Sequence, residues 1–237
     1  MKLLLLLVSY DISSLPRFLI SYSIITNIDA KDSMNETILK DFIVFEGLDG
    51  SGKSSQARAL RDYFTSSGRS VRLSAEPTGR PIGALVRDVL RHRVTTTPKA
   101  LALLYASDRE DHLYGPNGIV NGIEGGTVEI SDRYFYSSFA YQSVNVDEAF
   151  VRSVNDFPSP SIVIYVDAPV DVCMKRIDSR GEEKELFEKK SYLEKVRANF
   201  DRIFKTLPDG VSFLRVDGTK SMDEITKEII SFVSSVL

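Results

Sequence analysis

Cysteine occurs once in the 237 residues, at Cys173. A single thiol excludes an intrachain disulfide framework and fits a reducing compartment. Histidine is almost as scarce, with only His92 and His112, so no zinc ligand set is visible. No serine, cysteine and histidine arrangement suggests nucleophilic catalysis. Positive charge is not in excess: 30 Lys and Arg stand against 33 Asp and Glu, a formal net charge of -3. The basic footprint of a nucleic-acid binder is therefore missing, although a local cluster could still hold phosphate. Long apolar runs are missing too. The two near the N-terminus, residues 3–8 and 18–25, fall well short of the ~18 residues that span a bilayer.

What is present describes a soluble globular chain, 43% apolar and 27% charged. Residues 1–38 stand apart. Lys2 and its leucines could suggest a secretory signal, but no clear small-residue cleavage site follows. They read as a poorly ordered or mis-assigned N-terminal extension, with Met34 an alternative start. A targeting role and a packed accessory segment are the other readings. From residue 39 to 237 no repeat, low-complexity tract or linker appears, so this part reads as one domain.

Strands and helices alternate through that domain. Apolar or β-branched runs predict strands at 42–45, 71–74, 127–131, 161–166 and 211–216. Helical spacing predicts helices at 54–64, 82–91, 98–113, 119–124, 170–178 and 189–204. Thr97-Pro98 supplies an N-cap and a proline at the first helical position. Ser221 and Glu224 form a capping box for a last helix ending near Val236. Such an order predicts an α/β fold: a five-stranded parallel sheet with helices on both faces, a three-layer sandwich.

The stretch Gly47-Leu48-Asp49-Gly50-Ser51-Gly52-Lys53-Ser54 fits G-x-x-x-x-G-K-[ST], the phosphate-binding P-loop, and Ser55 follows it. An apolar strand precedes it and a helical pattern follows. The glycines let backbone N–H groups approach phosphate oxygens. The helix adds its positive dipole end. Lys53 brings a mobile charge, and the Ser54 hydroxyl can ligate Mg²⁺. Asp49 is electrostatically awkward beside phosphates unless something else needs it.

Ligands of open parallel sheets bind outside the carboxyl ends of strands, and several of these ends carry charge. Asp132 ends the third strand, where P-loop enzymes commonly place an acid that holds Mg²⁺ directly or through water. Arg133 beside it can fork onto a phosphate, and Arg80 is a second candidate. Tyr105 and Arg109 are spaced i, i+4 and share one helix face, a ring and a guanidinium suited to a pyrimidine pocket. Ser137 and Tyr141 lie one turn apart, with Gln142 next.

With these segments the chain resembles the thymidylate kinase family of P-loop nucleoside monophosphate kinases. The resemblance is carried by residues 45–56, Glu76-Pro77-Thr78-Gly79, Leu104 to Arg109, and Asp132-Arg133-Tyr134 with Ser137, Ala140, Tyr141 and Gln142. An arginine-rich lid, Lys175-Arg176-x-x-x-Arg180-Gly181-Glu182, adds to it. It covers residues 40–237 and implies a P-loop NTPase-type fold with a mobile lid, usually a homodimer. The implied reaction is transfer of phosphate from ATP to dTMP, with Mg²⁺, in a cytoplasmic enzyme of nucleotide biosynthesis with no nucleic-acid or membrane partner.

The resemblance also assigns roles. It implies ATP at Gly47 to Ser55, Asp49 at the sugar 3′-hydroxyl and the two residues Tyr105 and Arg109 at thymine. Arg133, with Arg80, falls at the acceptor phosphate, and Ser137, Tyr141 and Gln142 fall near the nucleoside. Some members carry an arginine after the P-loop acid; here Gly50 stands there. The missing cation is expected from Arg176 and Arg180, with Lys184 in reserve. Another small-molecule kinase and a nucleotide-binding regulator remain the alternative classes. The acceptor-phosphate arginine argues against an uncharged nucleoside acceptor.

Overall fold

The computed structural model describes residues 37–179, 186, 187 and 189–237. The readings made for residues 1–36, Arg180 and Lys184 lie outside the described residues. The chain runs β1 (Ile38–Glu46), α1 (Lys53–Ser66), β2 (Val71–Ala75), α2 (Pro81–Leu90), α3 (Pro98–Tyr114), α4 (Ile119–Glu124) and β3 (Val128–Asp132). It continues with α5 (Phe135–Tyr141), a 3₁₀ turn (Gln142–Val144), α6 (Glu148–Ser153), β4 (Ser159–Asp167), α7 (Val170–Asp178), α8 (Lys190–Ile203), β5 (Ser212–Asp217) and α9 (Met222–Val236). The strands form one sheet in the order β2-β3-β1-β4-β5, and every pairing is parallel.

Alternation along β1 explains why both faces are covered. Ile43 and Phe45 pack with Ala57, Leu60 and Phe64 of α1 and with Ile225, Ile229 and Val233 of α9. Phe42 and Val44 point to the opposite layer, with Phe135 and Phe139 of α5 and Leu193, Val196 and Phe200 of α8. These four β1 side chains are fully buried, each worth about 2 kcal/mol of transfer free energy. A strand buried on both faces reads as a continuous apolar run, the pattern at 42–45. The structure extends it back to Ile38 through an irregularity between Leu39 and Ile43, with Asp41 at φ 57°. Lys40 and Asp41 break the apolar run, so sequence alone starts the strand late.

β1 sits at the centre, so its carboxyl end opens into the crevice between neighbours on both sides. The glycine-rich turn leaves β1 there, and the end of β3 lies alongside, Phe45 pairing with Asp132. α2 and α3 form a smaller layer, with Val86, Val89 and Leu90 against Leu101.

Candidate active site

The turn from Gly47 to Gly52 is shaped by positive φ: 151° at Gly47, 82° at Gly50 and 101° at Gly52. Gly50 is also closed to any side chain by contact, since a Cβ there would lie 2.5 Å from the Cys173 carbonyl oxygen. The missing P-loop arginine therefore has a structural reason, because α7 packs against the turn at that point. Lys53 is buried and donates to the Leu48 carbonyl at 3.3 Å and to Asp49 at 3.4 Å. Asp49, Gly50, Gly52, Lys53, Ser54, Ser55 and Arg58 line a depression of about 390 Å³. Backbone donors, a lysine and the start of α1 converge on it, a site for an anion. Leu48 and Ser51 are buried in the turn's interior instead.

A second cavity, of about 190 Å³, opens on the other side of Asp49. Its lining includes Asp49, Tyr105, Arg109, Arg133, Ser137, Tyr141 and Gln142. Seven residues from β1's turn, α3, the β3–α5 connection, α5 and the 3₁₀ turn after it thus line one cavity. Arg133 adopts φ 78°, a left-handed conformation that costs a non-glycine residue about 1 kcal/mol or more. Its guanidinium donates to Asp49 at 2.7 Å, to Ser137 at 2.7 Å and to Tyr141 at 3.3 Å, and it lies 4.9 Å from the Tyr141 ring centre. The Tyr141 phenol in turn donates to Asp49. Burial alone would raise the Asp49 pKa, but Arg133 and then Lys53 hold the carboxyl well below the usual range. Asp49 is thus anionic between two cations. Gln142 Oε1 is buried and has no partner among the described residues.

Two predicted residues take other positions. Arg80 is outside this cavity and lines a separate depression with Arg72, Thr78, His112 and Asn117. Its guanidinium donates to the Asp111 and Pro116 carbonyls and pairs with the Asp111 carboxylate at 3.1 Å. Arg80 immediately precedes α2, and the end of α3 packed beside it supplies these partners. Arg80, expected at the acceptor phosphate, is thus not among the residues that line the cavity with Arg133. Arg176 donates to the carbonyls of Gly50, Ser51 and Gly218. In this conformation it braces the outside of the glycine-rich turn.

Arg109 lines the cavity, yet its side chain is only 1% exposed. It donates to Glu76 twice, at 2.9 and 2.6 Å, to Ser138 at 3.1 Å and to Asn155. Here it acts as a strut for the wall of the cavity. Glu76 also contacts His112 Nδ1 at 3.1 Å. Sequence reasoning gave no role to Glu46, Glu76, Arg87, Leu90 or Phe187, although all but Glu46 line the cavity. Arg87 donates to the Pro77 carbonyl at the cavity edge. Glu46 and Glu76 lay inside quoted segments, but nothing in a local pattern signals complete burial.

The fit to Mg²⁺ rests on Ser54 and Asp132. Ser54 lines the depression beside Lys53, and Asp132 Oδ1 is buried with no hydrogen-bond partner among the described residues. No group of three or more His, Cys, Asp or Glu able to hold a metal occurs among those residues. Mg²⁺ commonly uses one or two protein ligands and completes its shell with phosphate and water, so the donor set suits it.

A family model described as thymidylate kinase matches residues 45–229. The chain belongs to the thymidylate kinase family. A putative thymidylate kinase of Treponema pallidum is 40% identical over 197 residues, covering 81% of this chain and 94% of that relative. A probable thymidylate kinase of Methanococcus aeolicus is 38% identical over 202 residues, covering 81% and 95%. Another, of Methanocaldococcus jannaschii, is 35% identical over 201 residues, covering 82% and 96%. The family matches the five-stranded parallel sheet and the P-loop at its centre.

Proposed function

We propose that the protein is a dTMP kinase, transferring the γ-phosphate of ATP to dTMP to give dTDP, with Mg²⁺, as a cytoplasmic homodimer. One observation carries this reading: the phosphate depression and the neighbouring cavity share Asp49 in their walls, with Arg133 paired to it. Two nucleotides filling the two spaces would meet at their phosphates. The backbone amides of the turn and Lys53 would bind the donor phosphates. Arg133 would hold the acceptor phosphate. It makes three hydrogen bonds among the described residues, and a guanidinium has five N–H donors. Tyr105, Tyr141 and Gln142 would bound the nucleoside, with Asp49 at the sugar.

Ser54 and Asp132 would hold Mg²⁺, which would supply charge neutralisation at the phosphates. Transfer is direct, so the chain must position both partners and exclude water. Arg180, from the lid motif, is the proposed cation for the moving group. Exposed Leu103 and Tyr114 lie on one side of α3 and support a surface for a second copy. The single thiol supports the cytoplasm, and no described helix is long and apolar enough to cross a membrane.

A coupled assay of ADP release with dTMP, dUMP, dCMP and dGMP as acceptors tests the proposal. Turnover on dTMP should exceed the other three by tenfold or more. Arg133→Ala should raise the KM for dTMP by at least about tenfold, the loss of a charge-assisted phosphate contact. Equal turnover on all four acceptors would reject thymidylate specificity.

A further inference from the structure

Glu46 is the last residue of β1 and immediately precedes Gly47, where the phosphate-binding turn begins. It is 0% exposed, which for a carboxylate demands a reason. One of its oxygens accepts the backbone N–H groups of Tyr134 at 3.0 Å and Ser137 at 3.1 Å. The other accepts the Ser137 hydroxyl at 2.5 Å. Each contact falls just beyond Arg133, on the segment that carries it. Ser137 Oγ then accepts from Arg133 Nη1 at 2.7 Å. The chain of contacts therefore runs from the root of the donor turn, through a carboxylate and a hydroxyl, to the guanidinium over the acceptor cavity.

The backbone repeats the connection. The Arg133 N–H donates to the Phe45 carbonyl, and the Ser131 hydroxyl donates to the Arg133 carbonyl. Arg133 itself holds a left-handed conformation, which persists only where its surroundings over-determine it. A buried carboxylate that accepts three hydrogen bonds on one side of the residue supplies that constraint. An amide at position 46 could still receive the two backbone N–H groups. It could not receive the hydroxyl proton of Ser137, so the hydroxyl would lose its fixed direction towards Arg133.

We infer that Glu46 is a positioning residue for phosphoryl transfer, fixing the Arg133 guanidinium at a set distance from the phosphate-binding turn through Tyr134 and Ser137. This rests on the proposed role of Arg133 at the acceptor phosphate. Glu46 touches neither nucleotide in that account. Its effect reaches dTMP only through Arg133, so it should matter for the phosphate of the acceptor and not for its base.

Binding calorimetry on the full chain at pH 8, where Glu46 is ionised, separates these statements, using dTMP, thymidine and ADP with wild type, Arg133→Ala, Glu46→Gln and their double variant. Glu46→Gln should weaken dTMP about tenfold, the scale of one oriented charged hydrogen bond. Thymidine and ADP affinities should stay within twofold. In the Arg133→Ala background, Glu46→Gln should change dTMP affinity by less than twofold. Equal weakening of thymidine and dTMP, or a tenfold effect that persists without Arg133, would overturn the inference. Should Glu46→Gln not fold, Glu46→Asp withdraws the carboxylate from Ser137 by one methylene and must show the same phosphate-selective loss. The proposed function fails separately, if Arg133→Ala alone leaves the preference for dTMP over thymidine intact.

Discussion

At the scale of single residues, burial decides the behaviour of charge in this protein. Glu46, at the end of β1, and Asp49, three positions on in the turn, are pushed in opposite directions. Asp49 stands between Arg133 and Lys53 and stays ionised. Glu46 has no ion-pair contact among the described residues, and burial lifts its carboxyl to about 7 against the pull of Arg133 and the Ser137 and Tyr134 donors. Its folded pKa thus exceeds the unfolded value of 4.5. Folding binds the proton more tightly than the unfolded chain does, so this group lowers stability as pH rises from about 4.5 to 7. The shift corresponds to about 3 kcal/mol at pH 8, relative to pH 4.5. Glu46→Gln has no such titration. Urea denaturation of both proteins from pH 5 to 8 should move the difference in unfolding free energy towards the glutamine variant by up to that amount, most of it below pH 7.5. A difference that stays flat across the series would show that Glu46 keeps an ordinary pKa.

At the scale of elements, the limits of α4 and α7 and the end of α9 match the sequence reading residue for residue. Their caps, glycines and periodicity are local signals. The capping box is present as read: Ser221 Oγ accepts the Glu224 N–H, and the Glu224 carboxylate accepts the Ser221 N–H. Ser221→Ala should cost about 1 kcal/mol in urea denaturation with an unchanged KM for dTMP. Hydrogen bonds from α9 to α1, Gln56 to Met222, Thr226 to Gln56 and Tyr63 with Ser234, keep the helix docked. A loss below 0.3 kcal/mol would mean that docking and not the cap sets this helix end. The site was legible to the extent that its residues fall in motifs or at strand ends: Lys53, Asp49, Arg133 and Tyr105 were found that way. What stayed hidden depends on the direction of long side chains. Arg80 and Arg133 both follow strand ends, yet Arg80 meets carbonyls in the last turn of α3 and just beyond it, and Arg133 meets the glycine-rich turn. Nothing local distinguishes them, because the difference lies in helices packed from elsewhere in the chain.

At the scale of the whole molecule, the order β2-β3-β1-β4-β5 puts the glycine-rich turn on the central strand and Arg133 at the end of its neighbour. The two spaces are then adjacent by topology, and Asp49 is the wall between them. A ligand that fills one space should stabilise the fold by RT ln(1 + [L]/Kd), about 2.7 kcal/mol at a hundredfold excess over Kd. For a chain of this size that is a rise of about 5–10 °C in the melting temperature. Thymidine and adenosine joined through their 5′ positions by a chain of phosphates should fill both at once. The second half then binds at the high effective concentration that its tether imposes. Melting with thymidine-to-adenosine conjugates of increasing phosphate number should therefore pass through an optimum, above that of dTMP or ATP at equal concentration. The optimum marks the separation of the two binding sites along the line past Asp49. A monotonic series, with no conjugate better than its stronger half alone, would mean that the two spaces do not receive two nucleotides end to end.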